Sequence, residues 1–411
     1  MHADVDEAYL PSEEQELAGL IEHAAGQKLP IEICGNRTKR SIGRPMQVAT
    51  RISTSAMSGV TLYEPTELVL SARSGTPLAE IEALLDKNDQ ELAFEPCSLE
   101  TLSQGQPDGP ATIGGSIAVN ASGPRRILRG SARDHLIGIR AVNGAGEIIK
   151  AGGRVMKNVT GYDLGRAIAG SWGTLAVLSE ITVKVLPKAE EVRSLIFLNL
   201  PDEGAVNAMC HAMGTAYEVS GTVHLPVRMV DRLSNPDIAK LGQAVTALRL
   251  ENFSAALDHR MARLHEELKA FGAIYELDDA RSRSFWSDIR GLTFLSDSDW
   301  PLWRIVAAPD RAAKLVSALR ANLDCHAAYE WSGGLIWVEV SPATDAGATV
   351  LRRTIAEFGA DAMLVRANQA SRAAVDVFQP LPEANMTLIN RVKDAFDPQR
   401  ILNPGRMYAG I

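Results

Sequence analysis

Two runs of small residues hold the chemistry most readily seen in this chain. Gly35-Asn36-Arg37-Thr38-Lys39 follows a short apolar stretch and continues through Gly43 and Pro45, and Thr112 to Gly123 reads TIGGSIAVNASG. Consecutive backbone N–H groups on such turns can form a concave anion site, and absent side chains let a phosphate reach the main chain. The first run also reads as an ordinary strand-to-helix turn. The second places Gly114 and Gly115 at the mouth of a small-residue helix, as expected beside a flat or phosphorylated ligand. Packing of two helices through Gly and Ala would give the same composition.

The common nucleotide signatures are missing. There is no GxxxxGK[ST], and Gly144-Ala145-Gly146 falls in a predicted hairpin turn, Val142 to Glu147, without the third glycine or the following helix. Cys34, Cys97, Cys210 and Cys325 are too widely spaced for a CxxC pair or an iron–sulfur run, and read as small buried hydrophobes. The histidines are scattered, and His259 and His265, six apart, would sit about 240° around a helix. No metal site is expected. Arg125, Arg126, Arg129 and Arg133 form the densest basic run; a carboxylate or phosphate ligand is one reading, and a solvated turn or a surface for an acidic partner subunit is the preferred one. His326 reads as a surface or sheet histidine.

These loops need elements to hold them. Ser12 to Gln27 predicts a helix with Leu17, Leu20, Ile21 and Ala24 on one face, and Leu29 to Cys34 a strand leading into the first loop. Strands are predicted around Val60 to Tyr63 and Leu68 to Arg73, with a helix starting at Pro77. Past residue 190 glycine becomes sparse. Strands at Ser194 to Leu198, Val245 to Glu251, Trp303 to Ala308, Ala327 to Trp331 and Leu335 to Val340 alternate with helices at Phe253 to Phe271 and Ala312 to Asn322. That pattern predicts an open antiparallel sheet with helices on one side, and an α+β fold overall. From Asn385 a helix leads to a Pro- and Gly-punctuated end.

The 411 residues suggest about two or three domains, and 46% apolar with 22% charged residues is ordinary globular usage. A net charge of −8 argues against nucleic acid as a partner. No apolar run is long enough for a membrane span, and the acidic start lacks a secretory n-region, so a cytoplasmic protein is expected.

The ordered motifs GNRTK, PTELVLSARSGTPLAEIEALL, PDGPATIGGSIAVNASG, RGSARDHLIGI, VNGAGEIIKAGG, KNVTGYDLGRAIAGSWGTLAVLSEITVKVLP and FDPQRILNPGRMY resemble the FAD-binding (PCMH-type) family of vanillyl-alcohol oxidase and para-cresol methylhydroxylase. Within it they are most similar to the FAD-binding E subunits of bacterial glycolate oxidases (glycolate dehydrogenases). The resemblance covers residues 12–188 and the last fifteen or so.

It implies a two-subdomain FAD-binding domain at 1–188, an antiparallel-sheet and helix cap at 190–375, and a segment at 376–411 that returns to the first domain. It implies FAD as cofactor, with Gly35, Asn36, Arg37, Thr38 and Lys39 at the pyrophosphate. Pro107, Asp108, Thr112, Gly114, Gly115, Asn120, Ser122 and Gly123 would run along the flavin and ribityl chain. Gly173, Thr174, Leu175 and Val177 would close over adenine and ring, and Asn403 would fold back toward the flavin. Tyr162 and Asp163 lie in a shared motif and read as structural.

Departures from the family pattern matter too. Gly35 to Lys39 holds no His or Cys, so the flavin is expected to be noncovalent. Nothing in residues 190–411 resembles the His-rich HGDGNLH motif of relatives that oxidise 2-hydroxy acids, and the cap offers only arginines such as Arg304 and Arg366. Arginine holds a carboxylate but is no base at neutral pH. The expectation is a subunit of a complex that oxidises glycolate or a related small 2-hydroxy acid and is inactive alone. A paralogous FAD-dependent catalytic subunit would supply the base, an iron–sulfur subunit would remove electrons, and any membrane association would come through the complex. A stand-alone flavin dehydrogenase and a flavin-free assembly subunit are the alternatives.

Overall fold

The computed structural model describes residues 8–153 and 162–411. Lys157 to Gly161 of the KNVTGYD motif lie outside the described residues. Among the described residues no helix is long and apolar enough to cross a membrane.

A small parallel sheet comes first, with Thr50–Ser53 between Ala8–Tyr9 and Ile31–Cys34. The helix Glu14–Gln27 buries Leu17, Ile21 and Ala24, spaced at helical intervals. Glu13 stands at its N-cap without a capping bond, while the Ser12 N–H donates to Glu16 at 2.9 Å. The parallel sheet is completed from the far end of the chain. The Ile31 N–H donates to Ile401 at 2.7 Å and the Asn403 N–H to Ile31 at 2.9 Å.

Beside it lies an antiparallel sheet in the order Val60–Glu64, Val69–Arg73, Ala176–Lys184, Leu136–Asn143, Ile148–Gly152. The hairpin turn expected at Val142 to Glu147 is present. Asn143 Oδ1 accepts the N–H groups of Ala145 and Glu147 at 3.0 and 2.9 Å.

Residues 191–366 build an eight-stranded antiparallel sheet. Its order is Ile274–Leu277, Glu191–Leu198, Val245–Asn252, Val219–Leu225, Cys325–Glu330, Leu335–Val340, Leu302–Val306, Asp361–Arg366. The expectation of helices on one side needs correction. Ser194 bonds Ser282 of the helix Asp279–Gly291 at 3.0 Å, whereas its neighbour Arg193 pairs with Asp258 of the helix Ser254–Leu268 at 2.6 Å. Successive strand residues point to opposite faces, so these helices flank the sheet on both sides. The strands Val219–Leu225 and Leu335–Val340 are accordingly buried at every position, which hides the period-2 signal.

The eight-stranded sheet is pinned to the N-terminal part by buried ion pairs. Arg249 forks onto Glu95 with two 2.9 Å bonds, and Arg125 reaches Glu251 at 2.6 Å and Glu91 at 2.7 Å. Arg125 is therefore no part of a solvated turn. Its basic run appears surface-like in sequence because the acids that bury it stand 34 residues before it and 126 after it. Arg129 and Arg133 are exposed, as expected of that run.

Lys393, on the helix Glu383–Phe396, is fully buried. Its ammonium donates to Thr174 O (2.7 Å), Asp397 Oδ2 (2.8 Å) and Leu402 O (3.0 Å), using all three protons. Asp397 in turn accepts the N–H groups of Ile401 and Leu402 at 3.1 and 2.8 Å. This knot fixes the chain end against the 171–174 turn.

Candidate functional site

The loop after Ile31–Cys34, the helix Ile113–Ala118, the 171–173 turn, the strand Ala176–Lys184 and the C-terminal tail converge on one cleft. Its open volume is about 760 Å³, including the solvent-facing mouth. Gly35, Asn36, Arg37, Thr38, Lys39, Thr112, Gly114, Gly115, Gly173 and Val177 all line it.

The loop is laced rather than loose. Arg37, at φ +56°, pairs with both carboxylate oxygens of Asp108, the Asp108 N–H donates to Asn36 O (3.0 Å), and Asn36 Nδ2 donates to Pro110 O (2.8 Å). Thr112 caps Ile113–Ala118 by accepting the Gly115 N–H at 3.2 Å.

The two glycines of the pair do different work. A Cβ on Gly114 would lie 2.7 Å from both Cβ and the carbonyl oxygen of Ser74, a protein clash. One on Gly115 would meet only Thr112 Oγ1 at 3.3 Å and Lys39 Nζ at 3.9 Å, so larger side chains there would extend into the cleft. Gly173, at φ +71°, leaves room for Asn403 Nδ2, which a Cβ would approach to 2.8 Å.

The cleft is polar where the loop lies and apolar opposite. Lys39 is buried with Thr38 Oγ1 at 3.1 Å as its hydrogen-bond partner, and burial pulls its ammonium below the ordinary lysine range. Arg406 reaches in from the tail, donating to Lys39 O at 2.9 Å, with its Nε buried and unpartnered. The Ser74 and Ser171 hydroxyls on the same cleft are also buried without partners. Ala118, Val119, Ile168, Val177 and Leu178 form the apolar side. Two buried cations, orphaned hydroxyls and an apolar wall suit an elongated ligand with an anionic middle and flat apolar ends.

Residues 6–152 match the family model described as "FAD binding domain". The chain is 31% identical over 399 residues to the glycolate oxidase subunit GlcE of Escherichia coli (strain K12), covering 97% of this chain and 98% of that protein. The chain belongs to this FAD-binding family. It is 26% identical to the glycolate oxidase subunit GlcD of Bacillus subtilis (strain 168), over 73% of this chain and 68% of that one. In fold it is similar to p-cresol methylhydroxylase, with a TM-score of 0.69 at 14% identity, covering 98% of this chain and 88% of that one. FAD is the cofactor of the family, and the cleft fits it: Lys39 and Arg406 would face the pyrophosphate, and the apolar side the ring.

Eight of the candidate residues stand away from this cleft. Asn120 and Ser122 line a second cleft next to it. Pro107 is exposed, and Asp108 acts by holding Arg37. Gly123 is a packing glycine, since a Cβ would lie 2.3 Å from Glu95 O. Thr174 bonds its own turn at Ser171 O (2.7 Å), and Leu175 is half-buried in the same turn. Asn403 spends its side chain on backbone, accepting the Ile33 N–H at 2.8 Å and donating to Trp172 O at 2.8 Å. It latches the tail between loop and turn and so places Arg406. Sequence reasoning missed Arg406, Ser74 and Ser171, although all three lie inside the quoted motifs, because the motifs do not say which of their side chains turn into the cleft.

Tyr162 is exposed, and Asp163 caps Leu164–Ile168 by accepting the Arg166 N–H at 3.1 Å, a structural role as expected. His326 sits on its strand bonded to Arg228 at 2.8 Å and stacked on Trp300. No cluster of three or more metal-ligating side chains occurs among the described residues.

Proposed function

We propose that this chain is the FAD-binding subunit of a glycolate oxidase-type complex, supporting oxidation of glycolate or a related 2-hydroxy acid to the 2-oxo acid. The observation that carries the reading is the near full-length match to a glycolate oxidase subunit, on a chain whose cleft has the cations and glycines an FAD needs. When bound, FAD supplies the acceptor for the hydride equivalent of such an oxidation. The chain's residues bind and orient it. Residues 1–188 form the FAD-binding unit, 190–375 the cap, and 376–411 the return segment that carries Asn403 and Arg406 to the cleft.

Binding is noncovalent in this reading. Cys34 lines the cleft one residue before the loop, but burial pushes its thiol up to about 12, where no useful thiolate exists at neutral pH. The four dispersed cysteines provide no iron–sulfur ligand run, so electrons leave through partners: a paralogous FAD-dependent subunit and an iron–sulfur subunit.

The test is co-expression with the neighbouring subunits, followed by affinity capture on this chain and a glycolate-to-dye assay. Sustained turnover by the captured complex and none by the chain alone is expected. Steady turnover by the chain alone, with no partner captured, would favour a stand-alone dehydrogenase instead.

A further inference from the structure

The second cleft lies where the eight-stranded sheet meets the FAD-binding unit, and shares Val119 and Trp172 with the first. Its open volume, mouth included, is about 780 Å³. Arg126 comes from the basic run and Arg304 from the strand Leu302–Val306, and their guanidiniums lie 4.7 and 5.3 Å from the Trp331 ring centroid. Among the described residues neither guanidinium has an ion pair or side-chain hydrogen bond, in contrast to Arg125, Arg249 and Arg366, each tied to a carboxylate. Two like charges held together with no carboxylate in direct contact, and Glu330 as the one acid lining the cleft with them, are an arrangement that folding alone does not favour. Glu330 lines the same cleft, holding Trp337 Nε1 at 2.9 Å.

We propose that this cleft is a small-carboxylate site belonging to this chain itself, with Arg126 and Arg304 gripping the carboxylate and Glu330 facing the 2-hydroxyl. The proposal rests on the functional reading above for the hydroxyl and on the geometry alone for the carboxylate. Planar guanidiniums match a carboxylate in bidentate fashion, and an adjoining carboxyl disfavours a dianionic phosphate. Burial is the main cause that raises the Glu330 carboxyl to about 7, while the neighbouring Arg304 pulls it down. Burial draws Arg304 to about 10, and the Arg126 charge adds to that. The other charged or titratable groups near Glu330 are Glu95, which raises it, Arg249, which lowers it, and the Cys97 thiol.

A carboxyl poised there can hold a proton at neutral pH. With its carboxylate form beside a bound anion, affinity for the anion should fall as pH rises through about 7.

Calorimetric titration of the protein as purified with glycolate, and with acetate as a redox-inert monoanionic probe, tests this. Saturable binding is expected, weakened about 10-fold or more in Arg304→Met, the loss of a charge-assisted hydrogen bond. Arg304→Lys should recover part of it, and Arg126→Met should act in the same direction should Arg304→Met misfold. Glu330→Gln should keep acetate binding and lose its decline between pH 6 and pH 8 (about one unit either side of 7). No binding by the wild type, or binding undiminished from wild type in both arginine variants, overturns the site. A pH dependence unchanged in Glu330→Gln overturns the role of that carboxyl. Turnover by the assembled complex that ignores Arg304→Met would sink the site and spare the functional reading. Binding that Arg304→Met abolishes, in a complex that never oxidises glycolate, would do the reverse.

Discussion

Gly115→Val should leave a folded protein that has lost its flavin. The Cβ at this position would press only on the Thr112 hydroxyl at 3.3 Å, which must yield by a few tenths of an ångström, and the added methyls project into the cleft the cofactor would fill. The apparent affinity for FAD should drop on the order of 100-fold, corresponding to the ~3 kcal/mol that overfilling a fitted site costs. Circular dichroism and the melting temperature of the apo protein should be unchanged. Gly114→Val is the contrasting variant. Its side chain would strike Ser74 whether or not a ligand is present, so the apo protein itself should melt lower. Equal flavin content in Gly115→Val and wild type would remove the Gly114-Gly115 turn from the site.

The second large effect is expected at Lys393→Met. The ammonium satisfies two carbonyls and one carboxylate in a fully buried knot, and removing it leaves Asp397 charged without its cation and Thr174 O and Leu402 O without donors. Breaking a buried pair from one side costs about 3–5 kcal/mol. Thermal unfolding followed by fluorescence should shift down by several degrees, and flavin retention should fall with it, because the same knot positions the tail that carries Asn403 and Arg406. A melting temperature equal to wild type would show that the tail is held by other contacts.

What could be read from the residues alone follows a physical divide. The glycine-rich loops were legible because main chain that must approach a ligand or another backbone tolerates few residue types, and the hairpin at Val142 to Glu147 because Asn143 and Gly146 meet a turn's local demands. Both signals are local. Arg406, Ser74 and Ser171 lie inside the quoted motifs, but which of a motif's side chains turn into the cleft is decided by elements far apart in the chain, and Lys393 leaves no trace in sequence of the knot it ties. Arg125 and Arg126 show the limit most sharply. They are adjacent in one basic run, yet one is consumed by Glu91 and Glu251 while the other opens into a cleft unpaired. The placement of helices on both faces of the large sheet was hidden for a related reason, since strands buried on both sides lose the alternation that marks an exposed face.

The account rests on FAD held noncovalently between the Gly35 to Lys39 loop, the Gly114-Gly115 turn and Arg406. The direct measurement is the absorbance spectrum of the purified chain, followed by acid precipitation and chromatography of the supernatant. The account predicts a yellow protein carrying about one flavin per chain, released by acid entirely as FAD, with Arg406→Met showing weakened retention. A colourless protein that takes up no FAD on reconstitution, or flavin that stays with the acid-precipitated pellet, would contradict it.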